Sequence, residues 1–482
     1  MAGARSDALG VMMAKLSINV KEFLHDIESG MAKNALMAKY GLSAEGLAAV
    51  MKQVTEAKLK ADSTMRDNAP AVEGSVKEGF ECPECGATDP RPLDECPSCG
   101  AIVATLDEEL TDEQRSAGQG VPLERETEGG RRDDAHVSAL TGGASIFRSN
   151  LARTGVYETE GVRRLNELRW KFRTGGWVSS SPLVAAGMVL FGSWDSLFYA
   201  VDRESGLKIW DFETQGPLSS APAVAGSTVY FGSSGGDLWG VDLKTGKGTY
   251  HIKTPGPITA APVVEGGQIY LGSADGVLYA LSPRVGGMRW KFKAAGQISS
   301  AAAISNGVIC FGSYDGNLYA LDTSGGTEKW VVATGGPVSG CPAIFEGTVF
   351  FGSWNGSLLS VDMGTGKVKW AFNAGSKIAC SPALAHRSVY FGDWNGSLYA
   401  VDIGTGQEKW RFRAGSGIDS SPSVAGRSVY VGSRDHCMYS IDAKTGAENW
   451  KFRTDGPISS SPVIAGDAVY FGSDDGHVYA LA

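Results

Sequence analysis

Two hydrophobic patterns divide the chain into a helical part and a β-rich part. In the first, apolar residues such as Leu16 and Val20 recur at helical spacing, and Gly30 and Gly41 interrupt the pattern. The spacing therefore predicts a small helical domain over residues 1–60, built from three short helices.

The second pattern begins near residue 145 and repeats every 40 residues. Each unit has a run such as ISSSPVIAG, then VYFGS, then LYALD, then a short run around an aromatic residue, with turn residues between these runs. We therefore predict four short strands per unit. Tyr250 occupies the aromatic position in one unit, and Trp occupies it in the other seven: Trp170, Trp210, Trp290, Trp330, Trp370, Trp410 and Trp450.

Eight such units predict a mainly β fold, an eight-bladed β-propeller with four-stranded blades over residues 145–482. The last unit, which ends in HVYALA, has only three strands. The run LNELRWKFRT at residues 165–174 precedes the first unit. We expect this run to supply the missing fourth strand and so to close the ring.

Three segments separate the helical domain from the propeller. Residues 61–80 lose the helical periodicity and are interpreted as a linker, and residues 81–101 are rich in cysteine. Residues 102–144 are rich in charged residues and glycine and almost free of aromatic residues, which predicts a flexible acidic linker.

The cysteine-rich segment, ECPECGATDPRPLDECPSCG, contains two C-P-x-C-G turns. Two residues between the sulfurs let one turn present both thiolates, and the glycine that follows lets the backbone fold around them. Two such turns complete a closed tetrahedral site, so we predict a zinc ribbon with a structural zinc ion; iron in a rubredoxin-like site is the alternative. The ligands would be Cys82, Cys85, Cys96 and Cys99.

Charge and hydropathy narrow the range of partners. The net charge of −9 argues against broad, non-specific binding of nucleic acid. The first 30 residues contain no apolar run of signal-peptide length, and no later segment has the roughly 20 consecutive apolar residues of a spanning helix. We therefore expect a cytoplasmic protein with reduced thiols and no membrane partner.

The repeat resembles that of the PQQ-like (pyrroloquinoline quinone) β-propeller family over about two-thirds of the chain. The family motif A-x-D-x-x-T-G-x-x-x-W is complete at Ala400, Asp402, Thr405, Gly406 and Trp410. In the family this motif docks one blade on the next through its tryptophan. The resemblance thus implies a structural docking role for all seven tryptophans of the repeat.

The resemblance does not imply redox chemistry. Quinone-dependent members of the family have longer chains with insertions between blades, a pair of neighbouring cysteines and calcium-binding acids around the cofactor. Here the repeat is uniform and contains no Cys-Cys dipeptide. The chain also resembles the outer-membrane assembly propellers, which are eight-bladed and non-enzymatic. We therefore expect no enzymatic activity and no PQQ.

One turn of each unit varies in a way that folding does not require. The residue that follows G-S is aromatic in four of the eight units, and three of these units are consecutive. These rings could form a binding rim, with nearby polar groups; the opposing interpretation is that they pack locally over neighbouring turns. The candidate residues are Trp194, Tyr314, Trp354, Trp394, Arg434, His436, Asp419 and Asp474.

These observations favour a non-catalytic scaffold that binds a protein partner or ligand through the propeller. One alternative is a DNA-associated regulator, because NALMAKYGLSAEGLAAVMKQV resembles a helix-turn-helix beside the zinc ribbon. Its second helix would expose Glu45, Ala48, Lys52 and Gln53, with little positive charge for phosphate contacts. The second alternative is a quinone-binding oxidoreductase.

Overall fold

The computed structural model describes residues 147–283 and 287–482, together with Lys39 and the segments 80–81, 88–89 and 102–105. The chain divides into two units, Met1–Glu78 and Gly79–Ala482, and nearly all described residues belong to the second. The predicted helical domain, apart from Lys39, and the four zinc-ribbon cysteines lie outside the described residues. Within the described part of the chain, no helix is long and apolar enough to cross a membrane.

Eight sheets form the propeller, and within each blade consecutive strands pair in antiparallel order. The first four blades consist of blade 1, with β6 (Leu183–Ala185), β7 (Met188–Gly192), β8 (Leu197–Asp202) and β9 (Lys208–Glu213); blade 2, with β10 (Ala223–Ala225), β11 (Thr228–Gly232), β12 (Asp237–Asp242) and β13 (Gly248–Lys253); blade 3, with β14 (Val263–Glu265), β15 (Gln268–Gly272), β16 (Val277–Leu281) and β17 (Met288–Lys293); and blade 4, with β18 (Ala303–Ser305), β19 (Val308–Gly312), β20 (Asn317–Asp322) and β21 (Glu328–Ala333).

The other four blades repeat this order, and the last one takes its fourth strand from the start of the repeat region. They consist of blade 5, with β22 (Ala343–Phe345), β23 (Thr348–Gly352), β24 (Ser357–Asp362) and β25 (Val368–Asn373); blade 6, with β26 (Ala383–Ala385), β27 (Ser388–Gly392), β28 (Ser397–Asp402) and β29 (Glu408–Arg413); blade 7, with β30 (Ser423–Ala425), β31 (Ser428–Gly432), β32 (Cys437–Asp442) and β33 (Glu448–Arg453); and blade 8, with β34 (Val463–Ala465), β35 (Ala468–Ser473), β36 (His477–Leu481) and β5 (Leu168–Arg173).

The ring closes as the sequence pattern predicts. Strand β5 pairs antiparallel with β36, and Trp170 lies opposite Ala480. Residues from the beginning and the end of the repeat region therefore share blade 8. This pairing covers the edge of β36 that would otherwise be open.

Four further short strands lie outside this scheme. Strands β1 (Phe80–Glu81) and β2 (Thr88–Asp89) pair with each other. Strand β3 (Ile102–Thr105) pairs parallel with β13 at the outer edge of blade 2, and β4 (Val156–Tyr157) pairs parallel with β30 at the inner edge of blade 7.

Two recurring glycines let neighbouring blades approach closely. Gly192 is typical of the first, because a Cβ atom there would lie 2.5 Å from the Cβ of Leu218. Gly446 is typical of the second: its φ is +75°, and a Cβ would lie 2.8 Å from the ring of Trp410 in the preceding blade. The glycines that recur every 40 residues thus serve the packing between blades.

The repeat tryptophans hold each blade to the next one. The indole N–H of Trp410 donates to the carbonyl of Ala443 over 3.0 Å, and the other six make the same bond, which for Trp450 ends on Val162. Four of these rings are buried and three are half-buried, the latter being Trp290, Trp370 and Trp410.

The junction between blades 2 and 3 lacks this tryptophan. Tyr250 takes its place and is buried, and its hydroxyl has no hydrogen-bond partner among the described residues. Strand β13, which contains Tyr250, is also the strand that pairs with β3.

Candidate functional site

The aromatic positions lie on one face of the ring, which we call the rim face. It carries the turns between the second and third strands of each blade and the segments that lead into the first strands. The amide of Trp394 donates to the carbonyl of Lys377, 17 residues earlier, over 3.0 Å, and equivalent bonds recur in the other blades. This repeated bond fixes each turn against the leading segment of its own blade.

Three aromatic side chains from consecutive blades form a continuous surface on this face. The ring centroids of Tyr314 and Trp354 are 5.2 Å apart, and those of Trp354 and Trp394 are 6.3 Å apart. Trp394 leaves 42% of its surface exposed and Tyr314 leaves 36%. Folding of the blades requires only turns on this face. Exposed rings that contact one another across blade boundaries are therefore an unusual feature of it.

A lysine that the sequence interpretation missed lies between two of these rings. The ammonium nitrogen of Lys377 is 2.9 Å from the centroid of Trp354 and 3.5 Å from that of Trp394. Burial lowers the pKa of Lys377, the Asp419 carboxylate opposes this shift, and Arg434 adds to it. The sequence did contain a signal for this residue: four of the eight units have proline at the position of Lys377, so a lysine there departs from the repeat.

Arg434 and Asp419 extend the same surface into blade 7. The guanidinium carbon of Arg434 lies 4.9 Å from the centroid of Trp394, and its Nε donates to the carboxylate of Asp419. We call the set Tyr314, Trp354, Lys377, Trp394, Arg434 and Asp419 the rim cluster. In the rim cluster, aromatic rings and cations alternate. This arrangement is stabilising because a cation is attracted to the face of an aromatic ring.

Asp474 of blade 8 continues the arc beyond Arg434. The Ser459 hydroxyl donates to its carboxylate over 3.2 Å. Burial raises the pKa of Asp474, and Arg434 opposes that shift. Asp474 therefore interacts electrostatically with Arg434 of the rim cluster, although it makes no ion pair with a described residue.

Trp194 is separate from the rim cluster and belongs to a second patch on blade 1. Its ring centroid lies 5.2 Å from that of Trp177, a residue that the sequence interpretation also missed. The two side chains are 46% and 55% exposed. Trp177 occupies in blade 1 the position that Lys377 has in blade 6. Both residues replace the proline that is most common at this position of the repeat.

The indole N–H groups of the rim differ in how they are bonded. Those of Trp194 and Trp354 each donate to a serine hydroxyl of their own blade over 2.8 Å. Trp394 has Ala379 at the equivalent position, so its N–H finds no hydrogen-bond partner among the described residues. Trp394 is thus the tryptophan of the rim cluster whose N–H is left for a partner.

His436 lies in the same turn as Arg434 and is half-buried. Its φ of 73° confirms that it occupies a backbone conformation that glycine adopts in other blades. Its ring makes no hydrogen bond or ion pair with a described residue, and nothing in the geometry joins it to the rim cluster.

The centre of the ring is filled by residues 147–162, which we call the lead-in. Carbonyl groups of Leu151, Ala152, Thr154 and Gly155 accept hydrogen bonds of 2.8–2.9 Å from first-strand amides of blades 4, 5, 6 and 7 in turn. The lead-in therefore follows the inner edge of the ring across four blades.

Two arginines of the lead-in are completely buried there. Arg148 donates to the carbonyls of Pro382 and Pro422, and Arg153 donates to those of Ala302 and Pro262. Burial lowers the pKa of both guanidinium groups. With no carboxylate paired to them in the described part of the chain, the two cations are satisfied by backbone carbonyls alone.

A family model described as outer membrane protein assembly factor BamB matches residues 163–276, 274–413 and 394–482. Together these matches span all eight blades. The chain belongs to this family. A comparison with curated proteins finds no match.

Solved structures of different activities share the fold. BamB from Moraxella catarrhalis is 17% identical, with a TM-score of 0.59 over 65% of this chain and 99% of its own. The quinohemoprotein alcohol dehydrogenase from Comamonas testosteroni is 15% identical, with a TM-score of 0.62 over 73% of this chain and 82% of its own. The computationally designed Ika8 protein is 17% identical, with a TM-score of 0.59 over 67% of this chain and 99% of its own. Such low identity shows the fold alone.

Within 147–283 and 287–482, no group of three or more His, Cys, Asp or Glu side chains is arranged to hold a metal ion. The four cysteines of this region, Cys310, Cys341, Cys380 and Cys437, are buried and unpaired. Cys310 and Cys437 lie in strands, and Cys341 and Cys380 precede first strands.

Proposed function

We propose that this chain is a non-catalytic binding protein that holds a protein partner on the rim face. The observation that supports the proposal most directly is the rim cluster, in which rings and cations from four consecutive blades meet at the surface. Tryptophan, tyrosine and arginine are the residues that contribute most to the energy of protein interfaces. The relationship to an assembly factor is in keeping with a binding role.

The composition of the rim cluster indicates what the partner should present. Exposed faces of Tyr314 and Trp394 offer apolar contact, and the free N–H of Trp394 offers a hydrogen bond. Lys377 and Arg434 give the surface a positive component, which Asp419 partly neutralises. A segment with an apolar anchor flanked by acceptor groups would match this arrangement.

The filled centre of the ring is a reason to prefer binding to quinone chemistry. Arg148 and Arg153 occupy the place where the inner strands converge, and Phe147 packs there against Ala221, Ala261 and Cys341. The absence of an enzymatic role, of PQQ and of nucleic-acid binding remains a prediction. So do the cytoplasmic location and the structural zinc.

The test is affinity capture from the native cell with the full chain. The rim variant carries alanine at Trp194, Trp354 and Trp394. A matched control carries alanine at Ile209, Val331 and Val368, three apolar side chains that are 45–49% exposed on outer strands. We expect the rim variant to lose specific proteins that the wild type and the control both retain. Identical captured sets from all three proteins would refute the proposal.

Two further measurements on the same preparations address the rival functions. A quinone absorbance that copurifies with the wild-type chain would favour an oxidoreductase. Salt-dependent retention on DNA would favour a regulator, because phosphate contacts weaken as salt rises.

A further inference from the structure

A cavity of about 490 Å³ lies between blades 5 and 6 on the face opposite the rim. It is bounded by the turn between the first and second strands of each of these blades and by the turn that contains Gly404. Its volume lies in the range of roughly 300–1,000 Å³ that is typical of sites for small molecules. It shares no residue with the rim cluster.

Apolar side chains form most of the cavity wall. They include the aromatic rings of Phe345, Phe350 and Trp370, together with Leu384 and Ile403. Trp370 is one of the three docking tryptophans that remain half-buried, and Phe345 leaves 43% of its surface exposed. The wall is therefore suited to the apolar body of a ligand.

A buried hydroxyl without a partner lies behind this wall. Ser360 has no measurable exposure, and its Oγ makes no hydrogen bond in the described part of the chain. The repeat most often has alanine here; where Ser440 replaces alanine in blade 7, its hydroxyl accepts a bond of 3.3 Å from Asn449. Because the Ser360 hydroxyl is closed off from the cavity, a ligand is held by the wall and by the charged side chains at the mouth.

A strained turn places charged side chains at the mouth. His386 and Arg387 have φ values of 51° and 53°, and theirs is the turn in which neither central residue is glycine, whereas the equivalent turn of every other blade has at least one. The imidazole Nε2 of His386 lies 2.9 Å from the carbonyl of Gly426 and anchors the turn. Backbone strain of this kind persists where the surroundings hold it, and it concentrates at binding sites.

The charged side chains that line the cavity include an arginine without an ion-pair partner among the described residues. Lys369 and Arg387 supply two cations, and Glu346 supplies one carboxylate. Lys369 lies 3.3 Å from Asp362, whereas Arg387, which is exposed, makes no ion pair with a described residue. Arg387 thus remains available for a carboxylate at the mouth.

We propose that this cavity binds a small amphipathic carboxylate. The apolar body of the ligand lies against Phe345 and Trp370, and its carboxylate pairs with Arg387. The site is independent of the rim, so binding of the small molecule and binding of the protein partner are separate properties.

The experiment measures binding of defined probes to the full chain by isothermal titration calorimetry. Indole-3-propionate is compared with indole-3-propionamide, which lacks the charge, and with tryptamine, which reverses it; octanoate and phenylacetate test other apolar bodies. We expect at least one carboxylate to bind, and indole-3-propionate to bind about tenfold more tightly than its amide, as loss of one charge-assisted hydrogen bond would give. Equal affinity for the anion, the amide and the amine would overturn the proposal, as would no binding of any carboxylate up to about 10 mM.

Blade 7 supplies a matched control variant. Arg387→Gln is expected to weaken binding of the carboxylate about tenfold without weakening binding of the amide. Arg427→Gln changes the equivalent residue of blade 7 and should leave affinity unchanged. If the control variant weakens binding as much as Arg387→Gln, or if Arg387→Gln has no effect, the ligand is not in this cavity and the proposal fails.

Discussion

The ammonium group of Lys377 lies 2.9 Å from the centre of the Trp354 ring. Because Trp394 approaches the same ammonium at 3.5 Å, one cation joins rings from two blades. The cluster therefore carries its own stabilising cation in addition to any that a partner supplies.

Replacing Lys377 by methionine should lower the stability of the propeller, since Met fills similar space without charge. Cation–π contacts contribute about 0.5–2 kcal/mol, and the burial that lowers the pKa of Lys377 offsets part of this, so we expect a loss of less than about 2 kcal/mol and greater access of acrylamide to tryptophan. Chemical denaturation and fluorescence quenching provide the measurements. Lys367→Met, at an exposed lysine on a turn of blade 5, is the control and should behave like the wild type. An equal response of both variants would contradict the cation–π assignment.

Trp450 should be among the most costly docking tryptophans to remove. Its ring is 8% exposed, and its N–H donates over 2.8 Å to the carbonyl of Val162, which ties blade 7 to the lead-in. We expect Trp450→Ala to cost about 3–5 kcal/mol and Trp450→Phe, which keeps a ring but not the donor, to cost less. Trp410→Ala should cost less than Trp450→Ala because Trp410 is half-buried. If calorimetry gave Trp410→Ala a lower melting temperature than Trp450→Ala, burial of the ring would not determine the cost of removing it.

Acid should weaken the turns that contain the repeat aspartates. A hydrogen bond from Lys409, supported by the amides of Thr405 and Gly404, lowers the pKa of Asp402 to about 2. Because the folded-state pKa is below the value of 3.8 for a free side chain, the stabilisation is complete above that value and is lost as the pH falls toward 2. Asp402→Asn should therefore show a shallower decrease of melting temperature than the wild type between about pH 4 and pH 2.

The same pH series with Lys409→Met separates the ion pair from the backbone bonds. Removing the ammonium raises the pKa of Asp402 toward its ordinary value, so the loss of stability should begin at the same pH as in the wild type but be smaller and end at a higher pH. Superimposable curves for the wild type and both variants would exclude a contribution from this carboxylate.

The sequence was sufficient to predict the ring because its blades depend on local and repeated chemistry. The 40-residue spacing of Trp410 and its equivalents defines the number of blades, and the run around Trp170 identifies the closing strand. The same spacing shows that Trp354 and Trp394 occupy equivalent turns. It does not give the 6.3 Å between their rings, which results from the packing of neighbouring blades.

The residues that the sequence interpretation missed depend on contacts between different blades. Lys377 and Trp177 differ from the proline found in other units, but only the structure shows which rings they contact. Ser360 is a small substitution within the docking motif, and its missing partner becomes evident only when the cavity beside it is formed.

Deleting residues 163–174 should open the ring. The deletion removes β5, so β36 loses its partner strand, and Trp170 no longer donates to the carbonyl of Arg203. We expect a protein that unfolds at lower temperature or associates through the exposed strand edge. Light scattering coupled to size exclusion, together with thermal melting, provides the test, and a chain that lacks Met1–Glu78 but keeps the ring serves as the control. A monomer with an unchanged melting temperature would refute this closure.

Replacing His386 by glycine should stabilise the protein, which is the opposite of the usual effect of a mutation. A positive φ costs a residue with a side chain about 1–2 kcal/mol, while glycine increases the entropy of the unfolded chain by about 0.4–1 kcal/mol, so the net gain should be roughly 0.5–1 kcal/mol. Loss of the contact between His386 and Gly426 reduces the gain. Asn306→Gly, at the equivalent turn of blade 4 with a φ of 50°, is the control and should gain less because asparagine tolerates this conformation. Denaturant unfolding measures both variants, and a destabilised His386→Gly protein would show that the bond to Gly426 outweighs the strain.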